Sequence, residues 1–489
     1  MACVEVSAFL RREGVCSGSL RPAGVQAAGT FGLRLLLLQF LCILLLGGCV
    51  SLPDPRPLLA AYHKNDTLPG VLCTGAGLTA EDGAPLLERL REEAGCTDVL
   101  RGHLCLTEAA GGSPVVCGNT ATLLINGDVT FAAMLRAIGE AKDHINFETY
   151  IFSDDEVGRL FADLLVRKRA EGVKVNLIYD SFGCRGTPRS FFDRLREAGV
   201  RTVEFNPVSW FNLFSEKGLF HRTHRKLLIV DGKVAFTGGI NIGKAYLKVR
   251  RPGDGTADPE QFWRDTDVMI EGPAVGQFQK LFLTTWVQQK GDAETGAVYF
   301  PPIDKKGDQL VQAVGASYGV ENRTNYLMYL SAIAHARKSV HLTQSYFAPD
   351  ALMLETLKEA AARGVDVRII LPETTDHDIL RQAGRRRYAQ LLESGVRVYE
   401  CRGAILHAKT AVIDGVWSTV GSTNLERWSL AVSNEIDAVV LGPDFGGDME
   451  RCFETDLARS REILPGEWRH RPLFERLKQL FSGLLDQWL

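Results

Sequence analysis

Two short stretches hold residue types that can work on a phosphodiester. His224-Arg225-Lys226-Leu227-Leu228-Ile229-Val230-Asp231 is followed, after six intervening residues, by Gly238-Gly239-Ile240-Asn241. His407-Ala408-Lys409-Thr410-Ala411-Val412-Ile413-Asp414 is followed at the same interval by Gly421-Ser422-Thr423-Asn424. One His-x-Lys carries no information. Two copies, each with a small-residue pair and an Asn at one fixed offset, do. On an extended strand side chains alternate, so the His and Lys of each copy share a face. The apolar runs behind them carry each strand into a core. The Gly-Gly and Gly-Ser pairs admit a close backbone approach and leave room for a ligand. Juxtaposed across a pseudo-twofold axis, the copies offer two imidazoles, two ammonium groups and two carboxamides to one pocket. Lys226, Lys409, Asn241 and Asn424 suit the non-bridging oxygens, one histidine can attack phosphorus, and the other can protonate the leaving alcohol.

A nucleophilic histidine needs a carboxylate on its other ring nitrogen. Asn434-Glu435-Ile436-Asp437 through Gly442-Pro443 aligns without gaps to Arg264-Asp265-Thr266-Asp267 through Gly272-Pro273. Asp265 and Glu435 thereby occupy matching positions and are the expected orienting groups. Asp231 and Asp414 close each motif and are counted with the catalytic set, although each precedes a glycine in a turn signature that also suits a structural role. His221 lacks the spacing to Lys and reads as a surface histidine.

The elements that must position these groups follow an α/β pattern from about residue 120. Val129 to Asp143 reads as a helix, Ile145 to Phe152 as a strand, Glu156 to Glu171 as a helix and Val173 to Tyr179 as a strand. The pattern then returns. Glu171-Gly-Val-Lys-Val-Asn-Leu-Ile178 matches Arg363-Gly-Val-Asp-Val-Arg-Ile-Ile370, and Arg196-Glu-Ala-Gly-Val-Arg201 matches Leu392-Glu-Ser-Gly-Val-Arg397. Each pair sets a helix end, a glycine stop and a strand start in the same order. The spacing between copies drifts from 170 to 196 residues, as loop insertions would cause.

The doubled motif resembles that of the phospholipase D superfamily. Its surroundings are similar to the cardiolipin synthase branch: Phe262-Trp263-Arg264-Asp265-Thr266 leading to Ile270-Glu271-Gly272-Pro273, Ser345-Tyr346-Phe347-Ala348-Pro349-Asp350, and Leu406-His407-Ala408-Lys409-Thr410. The resemblance spans roughly residues 120 to 465. It implies an α/β fold of two pseudo-twofold-related lobes, each a mixed sheet flanked by helices, with one shared active site at their interface. It also implies a covalent phosphatidyl-histidine on His224, with His407 as acid and then base, and no metal or other cofactor. The expected reaction transfers a phosphatidyl group from phosphatidylglycerol or a similar donor to a lipid hydroxyl. Hydrolysis to phosphatidic acid is the alternative, and a nuclease-type phosphodiesterase a more distant one.

Composition narrows the partners. The 489 residues are 45% hydrophobic and 24% charged, with a formal net charge of −3. That balance lacks the basic excess of a nucleic-acid binder and lowers the nuclease reading. Phospholipids and a membrane surface are the partners that the resemblance implies, with no nucleic acid expected. The oligomeric state is left open. Leu35 to Leu46 is an apolar run of twelve residues after Arg34. It is shorter than the roughly 20 residues that span a bilayer and suits the core of an export signal. Leu46-Gly47-Gly48-Cys49 resembles a bacterial lipobox, with a short uncleaved anchor as the other reading. Cys73, Cys96, Cys105 and Cys117 lack zinc spacing and suggest two disulfides, in any of three pairings, in an oxidising compartment. Cys184, Cys401 and Cys452 read as buried or free thiols. The expectation is therefore a membrane-anchored, exported lipoprotein on the periplasmic side of a bacterial envelope. Residues 1–48 would be the signal, 49–118 a Cys-rich extension, 119–300 and 301–466 the two lobes, and 467–489 a C-terminal amphipathic helix. The stripe of that helix, Leu473 through Leu489, either lies on a membrane or packs on the protein. A run from Trp210 to Phe220 is apolar enough to admit acyl chains or to be buried against its own lobe.

Overall fold

The computed structural model describes residues 71–73, 83–93, 98–100, 102–110, 112–208, 221–249, 262–292, 299–318 and 323–484. The export-signal segment, the lipobox-like cysteine, Trp210 to Phe220 and the last five residues lie outside them. Among the described residues, no helix is long and apolar enough to cross a membrane.

The two copies fold by the same local signals. Asp155 caps helix Glu156–Ala170, accepting from Val157 N at 3.1 Å and Gly158 N at 3.0 Å. Asp350 caps helix Ala351–Ala362 in the second copy, accepting from Met353 N at 3.0 Å. An N-cap carboxylate satisfies amides that the first turn leaves unpaired. The helices end on Gly172 and Gly364, with φ of +93° and +88°, a conformation that glycine enters without steric cost. The following strands, Lys174–Asp180 and Asp366–Pro372, run parallel to His144–Thr149 and Ser339–Gln344.

A single 16-stranded sheet results, and its order reads nearly the same from either edge. From the centre outward, the first copy places Val115–Ile125, Thr266–Glu271, Val234–Gly238, Leu227–Val230, His144–Thr149, Lys174–Asp180 and Arg201–Phe205. The second places Gln309–Ala316, Glu435–Leu441, Trp417–Gly421, Lys409–Ile413, Ser339–Gln344, Asp366–Pro372 and Arg397–Cys401, and adds Ser460–Glu462 at its edge. In each copy the inner strands pair antiparallel and the next ones outward parallel, with the edge strand Ser460–Glu462 antiparallel again, so both lobes are mixed sheets. The copies join where Gln309–Ala316 runs antiparallel to Val115–Ile125.

Both motif strands are buried along their full length. One apolar cluster takes Ile229, Val268 and Phe278 from the first copy and Val311, Val412 and Ile436 from the second. Burying both faces of central strands removes the alternation that a half-exposed strand would show, which explains the continuous apolar runs after each Lys. The Cys-rich extension is tied to this framework. Val71–Leu72 pairs parallel with Val115 and Val116, and Cys73 forms a disulfide with Cys117. Cys96 and the Cys105 side chain lie outside the described residues. Cys184, Cys401 and Cys452 are buried free thiols.

Candidate active site

Each motif histidine is held by the opposite copy. In the first copy, Thr223 bridges Asn434, with His224 N donating to Asn434 O at 2.9 Å and Asn434 N to Arg222 O at 2.8 Å. In the second, Ile405–Leu406 runs parallel to Trp263–Arg264, with His407 N donating to Arg264 O at 2.8 Å. The residues after Asn434 and Arg264 are the two matching carboxylates. Glu435 consequently meets His224 Nδ1 at 3.1 Å, and Asp265 meets His407 Nδ1 at 2.7 Å. A carboxylate at Nδ1 selects the tautomer that keeps the proton there and leaves the Nε2 lone pair for chemistry.

The small-residue pairs serve these carboxylates. A Cβ on Gly239 would collide with the Asp265 carboxylate, and one on Gly421 would collide with Asp437. The second copy has Ser422 where the first has Gly239, and its hydroxyl donates to Glu435. The close approach expected of these glycines is made by backbone and side-chain atoms together, Ile436 O and the Asp437 carboxylate at Gly421 and the Asp265 carboxylate at Gly239.

Lys226 and Lys409 flank the histidines. Lys226 Nζ donates to His224 O at 2.7 Å, and Lys409 Nζ sits 3.1 Å from both ring nitrogens of His407. Asn241 accepts from Ile151 N at 3.2 Å and donates to the Tyr246 hydroxyl at 2.6 Å. Asn424 accepts from the Ser345 hydroxyl at 2.7 Å. An amide nitrogen carries two hydrogens, so each Asn retains donor capacity after these contacts.

The electrostatics of the site suit a bound anion. Burial pulls the His224 imidazole well below its ordinary range, helped by Lys226 and Lys409, and burial and then Lys409 lower His407. Lys226 is drawn down to about 7 by burial and by Lys409, and Lys409 to about 8 by burial. Burial pushes Glu435 and Asp437 each up to about 7. Buried like charges disfavour one another's charged forms, and a phosphodiester anion between them would relieve that cost.

Two expected members lie elsewhere. Asp231 accepts from Lys142, Asp143 and His144 backbone N–H at 2.8 to 3.0 Å, and Asp414 from Arg337, Lys338 and Ser339 at 2.7 to 3.1 Å. Their φ values of +53° and +54°, with Gly232 at +63° and Gly415 at +70°, form the turns between the motif strand and its neighbour. Each ends its strand roughly 20 Å from the histidine at about 3.3 Å per residue, so the direct chemical role is corrected to a structural one. His221 is also corrected. It is half-buried against Phe205 and Tyr318, with Nε2 3.0 Å from Asn434 Oδ1.

Several neighbours escaped sequence reasoning. The Tyr150 ring lies 5.1 Å from that of His224 and 5.3 Å from Lys226 Nζ. Tyr346 sits 6.0 Å from His407 and 5.7 Å from Lys409 Nζ. Their signal was the repeated Thr149-Tyr150 and Ser345-Tyr346 after equivalent strands. Arg225 is fully buried and donates to Glu435 O at 3.0 Å and Ala316 O at 2.8 Å, whereas its counterpart is Ala408.

A duplicated α/β sheet that sets two carboxylate-backed histidines, with two lysines, across its pseudo-twofold defines the class as a phosphodiester-transferring enzyme. The model of the family described as "Cardiolipin synthase, PLD-like domain" matches residues 134–286 and 329–457. The chain belongs to that family, within the phospholipase D superfamily. It is 33% identical over 384 residues to cardiolipin synthase 1 of Bacillus cereus, covering 77% of this chain and 74% of that one. It is 34% identical over 377 residues to a cardiolipin synthase of Listeria monocytogenes, covering 77% and 76%. Among solved structures, phosphatidylserine synthase of Haemophilus influenzae has the same fold, with a TM-score of 0.57 at 13% identity over 78% of this chain and 96% of that one. The chain is accordingly a phosphatidyltransferase of phospholipid metabolism.

Proposed function

We propose that the enzyme moves a phosphatidyl group from phosphatidylglycerol, or a donor of that kind, to the hydroxyl of a second lipid. The crosswise pairing of His224 with Glu435 and His407 with Asp265 carries the reading. His224 Nε2 attacks phosphorus, the bond from phosphorus to the alcohol oxygen breaks, and His407, entering as the imidazolium beside the Asp265 carboxylate and the bound phosphodiester, gives that oxygen its Nε2 proton. His407 then takes the proton of the incoming hydroxyl, whose oxygen attacks phosphorus and releases His224. His224 is assigned as the nucleophile on the family resemblance, and its side chain is the more accessible of the two, 15% exposed against 6% for His407. Lys226 and Lys409, with Asn241 and Asn424, hold the non-bridging oxygens.

The enzyme works at a membrane surface, anchored as an exported lipoprotein through Cys49. The lipobox-like Leu46 to Cys49 and the Cys73–Cys117 disulfide support that placement. The test is purified protein on phosphatidylglycerol vesicles, with lipid products read by mass spectrometry and His224→Ala as control. Cardiolipin with free glycerol, lost in the variant, is expected. Phosphatidic acid alone would make the enzyme a hydrolase.

A further inference from the structure

Helix Leu473–Leu484 is amphipathic with its apolar face turned outward. Leu473, Phe474, Leu477 and Leu480 are 70%, 66%, 44% and 56% exposed, while Gln479 and Ser482 are 2% and 8% exposed. At 100° per residue the four apolar side chains fall on one arc, and Glu475, Gln479 and Ser482 fall on the opposite one. The inner contacts are polar. Arg385 Nη1 reaches Glu475 at 3.3 Å, and Arg471 Nε donates to Gln479 at 3.0 Å. A helix that packed for stability would show the reverse arrangement. Four large apolar side chains on one short helix also exceed the scattered exposure that soluble surfaces tolerate.

We infer that this helix is an interfacial element that lies in a lipid bilayer with Leu473, Phe474, Leu477 and Leu480 among the acyl chains. The charges around the stripe match an anionic lipid surface. Arg469 and Arg476 are exposed beside it, and Lys478 Nζ lies 4.7 Å from the Phe474 ring. The carboxylates of the segment are paired, Glu467 with Arg461 at 3.7 Å and Glu475 with both Arg385 at 3.3 Å and Lys478 at 3.5 Å, so the positive excess beside the stripe is that of Arg469 and Arg476. Beneath the helix, a cavity of about 340 Å³ is lined by Arg385, Arg461 and Arg471 together with Glu467 and Glu475. Basic side chains flanking an apolar arc are the arrangement of helices that settle into headgroup layers. The choice of a bilayer as occupant rests on the phospholipid substrate proposed above, since an enzyme acting on membrane lipids must sit against them.

The test uses the full chain reconstituted into phosphatidylglycerol–phosphatidylethanolamine vesicles. A bimane label on Leu480→Cys, corrected for the unsubstituted protein, should be quenched by nitroxide-bearing lipids and shielded from iodide. Separately, the combined Leu473→Gln, Phe474→Gln, Leu477→Gln and Leu480→Gln variant should turn over vesicle phosphatidylglycerol at least tenfold more slowly. Its turnover of monomeric dihexanoyl-phosphatidylglycerol should be unchanged. A label open to iodide overturns the proposal, as does one shielded from iodide and lipid alike, which would mark a second copy as the occupant. Unchanged vesicle turnover in the variant also overturns it. Bilayer quenching needs no turnover, so a docked protein inactive on every phospholipid would count against the proposed substrate and leave the docking intact.

Discussion

His407 and Asp265 stand 142 positions apart and belong to different copies of the repeat, yet Nδ1 and Oδ2 meet at 2.7 Å. His224 and Glu435 repeat the exchange in the other direction. The shared site is thus a reciprocal one, in which neither histidine is oriented by its own lobe.

Removing the charge that orients His407 tests this arrangement. Asp265→Asn should lower kcat on phosphatidylglycerol vesicles by roughly 10²-fold, within the range contributed by general acid–base groups. Circular dichroism should be unchanged, because the amide fits the same space beside Gly239. Wild-type kcat in this variant would contradict an orienting role.

The two histidines separate with a donor whose leaving group needs no proton. On a p-nitrophenyl phosphatidyl ester, His407→Ala should release one equivalent of nitrophenolate and retain the phosphatidyl group, seen by intact mass. His224→Ala should show neither burst nor adduct. The opposite pattern would exchange the assignments.

Asp437 yields a prediction about stability and pH. Burial raises its carboxyl from 3.8 to about 7, with Thr423 and Asn325 hydrogen-bonded to it. Between roughly pH 4 and 7 the folded state holds a proton that the unfolded state has lost. This residue's contribution is therefore full below pH 4 and declines as pH rises, by at most about 1.4 kcal/mol per unit. Asp437→Asn does not titrate, so its stability relative to wild type should improve from pH 4 to 7 in urea unfolding. A difference constant with pH would refute the buried proton.

Asp231 should matter to folding and not to turnover. Asp231→Ala removes three backbone hydrogen bonds and places alanine at a positive φ. A loss of about 1–3 kcal/mol is expected, with Asp231→Asn milder. The kcat of the folded fraction should stay within about threefold of wild type, read by thermal melts beside activity. A collapse of kcat in well-folded protein would return Asp231 to the chemistry.

Much of this site was legible because the repeat states it twice. Equal offsets from His to Asn fixed the strands, and the ungapped match of Asp265 with Glu435 found both orienting groups. Which carboxylate serves which histidine was not legible. That choice depends on the Thr223–Asn434 bridge and the Ile405–Trp263 pairing, non-local contacts that no local pattern encodes. Asp231 and Asp414 were credited with chemistry because they close a motif, although the Asp-Gly turn already pointed to the backbone. The helix expected from Val129 begins at Asn126, directly after a long strand, because Asn126 itself makes the turn at φ +69°. Tyr346 was quoted only as part of a family stretch and Tyr150 only within a strand, and the folded sheet is what brings both rings to the lysines.

The crosswise carboxylates also bear on ancestry. A chain with one copy alone would hold a histidine and a carboxylate unable to meet, so its minimal working form is a pair of identical subunits. Fusion of two copies releases that identity constraint. Gly239 has diverged from Ser422, Asp265 from Glu435 and Arg225 from Ala408. Such differences allow the surroundings of each histidine to be tuned separately, one for attack and the other for proton transfer, a tuning closed to a symmetric dimer.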